Sequence, residues 1–197
     1  MKPGTRSLLW GEHQFLLHPL FVALAWWKLF GFPLDPRLWF CFFVHDIGYL
    51  GKPNMDGTEG KTHPETGARI AHALFDPDPS YLPEAVHHQF LGGRYSLVSQ
   101  FRWYDFCLYH SRFYAKRDRL SVSALALADK LSFNLTPRWL YRLLVHLSGC
   151  LPEYLSDSGK RLGVSNFKDW HRKAGAENLR WVYETLKKPV KPGYYYF

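Results

Sequence analysis

A chain of 197 residues with 47% hydrophobic and 18% aromatic content is long and apolar enough for one globular domain with a real core, and general disorder is excluded. The formal net charge of +8 and a pI near 9.4 favour a partner that carries phosphate. That charge is scattered in small clusters (Lys116-Arg117-Arg119 and Lys187-Lys188-Lys191) rather than drawn into a stripe, which argues against nucleic acid and for an anionic small molecule.

Cys41, Cys107 and Cys150 are odd in number and widely spaced, with no CxxC and no disulfide framework, so a reducing, cytoplasmic setting is expected. No signal-peptide pattern opens the sequence. The longest apolar stretch, 19–34, is broken by Lys28, Gly31 and Pro33 and is too short for a membrane span. Its aromatics (Phe21, Trp26, Trp27, Phe30, Phe32) read as a core helix, with an apolar surface as the alternative.

In chain order, residues 16–29 are apolar on most faces and predict a buried helix ending near Gly31. Asp35-Pro36 is a start signal, Asp as N-cap and Pro in the first turn. The helix it opens runs through Phe43 and stops near Gly48, so His45 and Asp46 fall in the last turn, where the helix end favours a cation. Residues 48–61 (GYLGKPNMDGTEGK) predict a loop. Thr62-His63-Pro64-Glu65 reads as a capping box that starts a helix to about Leu74. A break at 76–80 precedes a predicted helix from Pro83 to about Leu91, closed by Gly92-Gly93 and carrying His87 and His88. The aromatic segment 101–113 is predicted helical and includes His110. Ser121 or Ser123 caps a helix containing Asp129, Pro137 opens one ending near Gly149, and residues 166–188 form one long amphipathic helix. There is no strand pattern and no internal repeat, so the fold is predicted to be all-α.

The adjacent His45 and Asp46 follow an apolar run, and burying them together is unfavourable unless something pairs with them. His18, His63, His87 or His88, and Asp129 each sit in an apolar helical neighbourhood on other helices, an arrangement that suits a metal site inside a bundle. Adjacent residues on a helix diverge by about 100°. His45 is therefore expected to bind one ion, while the two oxygens of Asp46 can bridge two. Imidazole with carboxylate suits Fe, Mn, Zn, Ni or Co, one or two ions, better than Ca. His13, His72, His146 and His171 read as ordinary surface or core residues, with His13 able to replace His18 if its helix begins elsewhere.

His18 in HPLFVALAW, His45-Asp46 in FVHDIGYLG, His63 in HPETGARIA, His87 in EAVHHQFLGG and Asp129 in ALADKLS together resemble the HD-domain superfamily of metal-dependent phosphohydrolases. The resemblance covers roughly residues 12–135 and leaves 136–197 as a C-terminal helical extension within a single domain, 1–197. It implies an HD-like helical bundle with His18, His45, Asp46 and Asp129 on a first metal, and Asp46 bridging to a second held by His63 and His87 or His88. The lysine of the family's HDxGK pattern is replaced here by Tyr49; Lys52 or Lys61, on the following loop, could stand in for it. The Gly-Tyr-Pro signature of cyclic-dinucleotide hydrolases is missing after His88. The stretch LYHSRFYAKRDRLSVSALALADKLS is similar to HD enzymes that cleave dinucleoside polyphosphates, which makes His110 a competitor of His87. His87 is preferred as ligand and His110 as a substrate-side group, with Arg112 and Lys116 as candidate substrate contacts.

The chemistry these residues imply is metal-activated water attacking a phosphomonoester or phosphodiester, with a nucleotide as the expected substrate and without a Ser or Cys nucleophile. The same ligand count also fits the HD-type diiron oxygenases that cleave C–H or C–P bonds with O2. A third reading is a non-catalytic HD sensor or interaction module with 21–32 and 101–114 as docking surfaces, against which the intact ligand set counts.

Overall fold

The computed structural model describes residues 1–76 and 102–187. Every regular element among them is helical, as the periodicity predicts. Helix α1 (Pro3–Trp10) and α2 (Leu17–Phe30) are followed by α3 (Pro36–Val44), α4 (Pro64–Phe75), α5 (Trp103–Leu108), α6 (Arg112–Asp118) and α7 (Ala124–Leu135). Then come α8 (Arg138–Ser148), α9 (Leu151–Tyr154), a π-turn (Leu155–Gly159), α10 (Lys160–Leu162) and α11 (Phe167–Leu186). The helix predicted over 83–91, with His87 and His88, lies outside the described residues.

Helix α7 is the central element: all residues from Ala124 to Asp129 are buried, as are Leu131 and Ser132. Alanines at 124, 126 and 128 give it a thin profile that lets α2 lie close along it. Helix α2 tolerates Pro19 because the proline sits in the first turn, where its missing N–H would have no partner anyway. It buries His18, Val22, Ala23, Ala25 and Trp26, while Leu20, Leu24 and Trp27 remain exposed, so the expected core helix also presents an apolar outer face. The inner faces of α2, α3, α4, α5 and α7 form one apolar cluster, joined by Val182 of α11.

A second cluster joins the first helix and the 49–55 turn to residues 145–170: Leu8, Tyr49 and Met55 pack with Val145, Cys150, Tyr154 and Trp170. Tyr154 and Trp170 stack with ring centroids 5.4 Å apart and planes 4° from parallel. Buried Glu12, between α1 and α2, accepts hydrogen bonds from Ser148 Oγ and Tyr154 Oη. Residues 136–187 therefore complete the core rather than trail from it.

Several local expectations change. Asp35 caps α3 as predicted, accepting from the Arg37 backbone N–H at 2.8 Å, but the α-helix stops at Val44 and a 3-10 turn takes over at Ile47–Tyr49. The capping box does not form. Thr62 lies in a 3-10 turn (Gly60–Thr62), its hydroxyl donates to the Glu59 carbonyl, and Glu65 instead accepts from Tyr114 Oη. Pro64 at the first helical position has no N–H to satisfy, so the box has less to hold. The predicted helix over 101–113 breaks into α5 and α6, with Ser111 capping α6 through the Phe113 N–H and His110 at the break.

Candidate metal centre

Among the described residues, four histidines and two aspartates converge between these helices, in two groups that share Asp46. His18 comes from the first turn of α2 and Asp129 from the middle of α7, so α2–α7 packing brings them together. His45 closes α3 and Asp46 follows at φ −98°, ψ −1°, where the winding tightens from α to 3-10. That change of winding lets neighbouring side chains that a regular helix would splay apart come to 3.2 Å, His45 Nε2 to Asp46 Oδ2. His63 lies just before α4 and His110 in the break between α5 and α6.

Two glycines make the approach possible. A Cβ on Gly48 would lie 1.9 Å from the His63 carbonyl oxygen, and one on Gly67 would lie 2.3 Å from that of Val44. Only glycine lets the turn after Asp46 and the start of α4 close on each other so tightly.

In the first group, His18 Nε2 lies 3.3 Å from His45 Nε2, 3.2 Å from Asp46 Oδ2 and 3.4 Å from Asp129 Oδ1. In the second, His63 Nε2 and His110 Nε2 are 3.1 Å apart, and lie 3.3 and 3.5 Å from Asp46 Oδ1. Donors bound 2.0–2.2 Å from one ion stand roughly 2.8–3.6 Å apart at octahedral or tetrahedral angles, so this spacing fits a transition metal in each group. His45 is wholly buried, and His18, Asp46, His110 and Asp129 are nearly so.

The tautomers sharpen the point. The Nδ1–H groups of His45, His63 and His110 each donate to the carbonyl three residues earlier, on Phe42 (3.0 Å), Gly60 (2.8 Å) and Cys107 (2.5 Å). A carbonyl only accepts, so Nδ1 holds the proton and the neutral ring's Nε2 is a bare lone pair. His63 and His110 then turn two lone pairs on each other and on a carboxylate oxygen, while Asp46 Oδ2 is buried with no hydrogen-bond partner. Such an array is repulsive until a cation enters it.

The electrostatics agree. Burial pushes His110 down to about 4, fixing it as a neutral donor. Burial also opposes charge on His18, but the facing carboxylates of Asp129 and Asp46 outweigh it and raise that imidazole to about 9. Burial would raise both carboxyls, but the imidazoles crowded round Asp46, His45 foremost, and the Lys130 ammonium beside Asp129 hold them well below the ordinary range. The centre attracts positive charge, as a proton or as a metal.

Around it, Tyr49 stacks on His63 with centroids 3.9 Å apart. Lys52 is tied back, donating from Nζ to Thr62 Oγ1 at 2.6 Å, and Lys61 is exposed. Arg112 lies over the Trp181 ring and Lys116 is exposed; among the described residues neither makes a hydrogen bond or ion pair with the centre. His110, expected on the substrate side, stands instead among the donors, and His87 and His88 lie outside the described residues.

Sequence reasoning gave no site role to Lys130 or Glu153, and offered His13 only as a replacement for His18. Lys130 donates from Nζ to Asp129 Oδ2 at 2.8 Å, and its place beside Asp129 in ALADKLS is a signal that could have found it. His13 sits edge-on to His18 and tilted against Tyr49. Glu153 accepts the backbone N–H groups of Met55 (2.8 Å) and Asp56 (2.9 Å), and so pins the loop between Asp46 and His63. Nothing local could signal a contact across 98 positions. Comparison with known proteins finds no matching family model, curated protein or solved structure.

Proposed function

We propose that this chain is a metal-dependent phosphohydrolase of the HD type, with Asp46 bridging two transition-metal ions. The observation that carries the reading is the set of inward Nε2 atoms on His45, His63 and His110, whose protons are committed to backbone carbonyls at Nδ1. His18, His45, Asp46 and Asp129 would hold one ion; Asp46, His63 and His110 would hold the other. When bound, the metals supply a hydroxide-forming water and offset charge on phosphoryl oxygens. The protein's own part is to fix the donors. The carbonyls of Phe42, Gly60 and Cys107 set the imidazole tautomers, Lys130 orients Asp129, and Tyr49 holds the His63 ring in plane. Three protein donors in the second group leave positions open for water and substrate, as in catalytic metal sites. Lys130, partly exposed beside Asp129, adds positive charge where an anionic substrate would enter.

The test is a panel of phosphomonoesters, phosphodiesters and nucleotides offered to the metal-loaded protein, with inorganic phosphate or new phosphomonoester as readout. Turnover that disappears in Asp46→Asn is expected; no turnover on any member of the panel would sink the hydrolase reading. A second reading, a diiron oxygenase acting on C–H or C–P bonds, is favoured by Tyr49 standing on His63 where the family's phosphate-side lysine is expected. Product formation under strict anaerobiosis speaks for hydrolysis, and substrate-dependent O2 consumption by the iron-loaded protein speaks for the oxygenase.

A further inference from the structure

Helix α8 is apolar on two sides. Leu144, Val145 and Ser148 face inward, while Trp139 (71% exposed), Leu143 (48%) and Leu147 (52%) form an outer stripe at four-residue spacing. Each member of that stripe directly follows a basic residue: Arg138, Arg142 and His146, all exposed. No Asp or Glu occurs from Lys130 to Pro152, and neither Arg138 nor Arg142 pairs with a carboxylate among the described residues. Helix α1, which packs along α8, likewise has no carboxylate and adds exposed Leu9 and Trp10.

We infer that the outer face of α8 docks on an anionic lipid bilayer. A Trp and two leucines offer an apolar edge that can enter the headgroup boundary, and unpaired arginines alongside meet lipid phosphates. The charge pattern selects this occupant: a second copy of the chain would bring the same cations against themselves, whereas an anionic surface complements them. Among the described residues no helix is long and apolar enough to cross a membrane, so the contact is one of lying on the surface. The inference is independent of the metal centre.

Flotation of the full chain with vesicles tests it. Binding is expected to phosphatidylcholine vesicles that contain phosphatidylglycerol, and to weaken as salt is raised. Arg138→Gln with Arg142→Gln should lower partitioning roughly 30-fold, at about 1 kcal/mol per cation. Leu143→Glu with Leu147→Glu should abolish it while the circular dichroism stays that of the parent. The inference is overturned by no flotation with anionic vesicles, by equal flotation with pure phosphatidylcholine, or by undiminished binding of both variants. It is overturned equally by a dimer in sedimentation velocity that the Leu143/Leu147 variant dissolves, which would assign the face to a second copy.

Discussion

Asp46 is buried with one oxygen lacking any hydrogen bond and the other facing two imidazole nitrogens, an arrangement a carboxylate accepts only next to cations. Its neighbours differ in what each contributes. His110 belongs to the second group alone, so His110→Ala should leave the His18–His45–Asp46–Asp129 set intact and lower the bound metal from about two ions to about one per chain, read by elemental analysis. A drop to none, or no drop, would mean that His110 does not hold a separate ion. Gly48 acts through space rather than chemistry. Gly48→Ala drives a Cβ onto the His63 carbonyl, and should cost about 2 kcal/mol in urea unfolding while also weakening the His63 ion. Unchanged stability and metal content would show that the turn yields freely.

The elements place these residues with different degrees of legibility. Helices α2, α3, α7, α8 and α11 follow from apolar periodicity and from local signals such as Asp35, Pro36 and Gly149, all readable over a few residues. The change of winding at Asp46 is not readable, because Ile47-Gly48-Tyr49 suits either helix type and the choice is made by Gly48 closing on His63. The aromatics on both sides of His110 keep a helical pattern and predict a single helix; Ser111, which caps α6, is the local sign of the break. Loop 50–59 depends on a partner the local sequence cannot reveal. Glu153 accepts two of its N–H groups, and charge-assisted bonds of this kind contribute about 1.5–3 kcal/mol each. Glu153→Ala should lower Tm by several degrees and Glu153→Gln by less, as followed by calorimetry; equal Tm values would show that the loop holds itself.

At the level of the whole molecule, residues 136–187, part of the stretch that the motif resemblance leaves aside, share a core with the beginning of the chain. Leu8, Tyr49 and Met55 pack against Val145, Cys150, Tyr154 and Trp170, and Tyr49 in turn stacks on His63. A chain ended at Leu135 should therefore expose this cluster, aggregate or fail to unfold cooperatively, and retain no metal; a cooperative, metal-binding fragment would contradict that coupling. Of the six converging side chains, His18, His45, Asp46, His63 and Asp129 are legible in the short segments HPLFVALAW, His-Asp, HPETGA and ALADK, while His110 is legible only as a competitor of His87. What brings the segments together lies in helix packing and in backbone carbonyls that set each imidazole. The most direct measurement of the central claim is the metal content of the protein purified without added metal, beside that of Asp46→Ala. The account predicts about two transition-metal ions per chain, and the loss of both when the bridging carboxylate is removed. A parent protein that binds no transition metal, or an Asp46→Ala variant that retains the full complement, would contradict it.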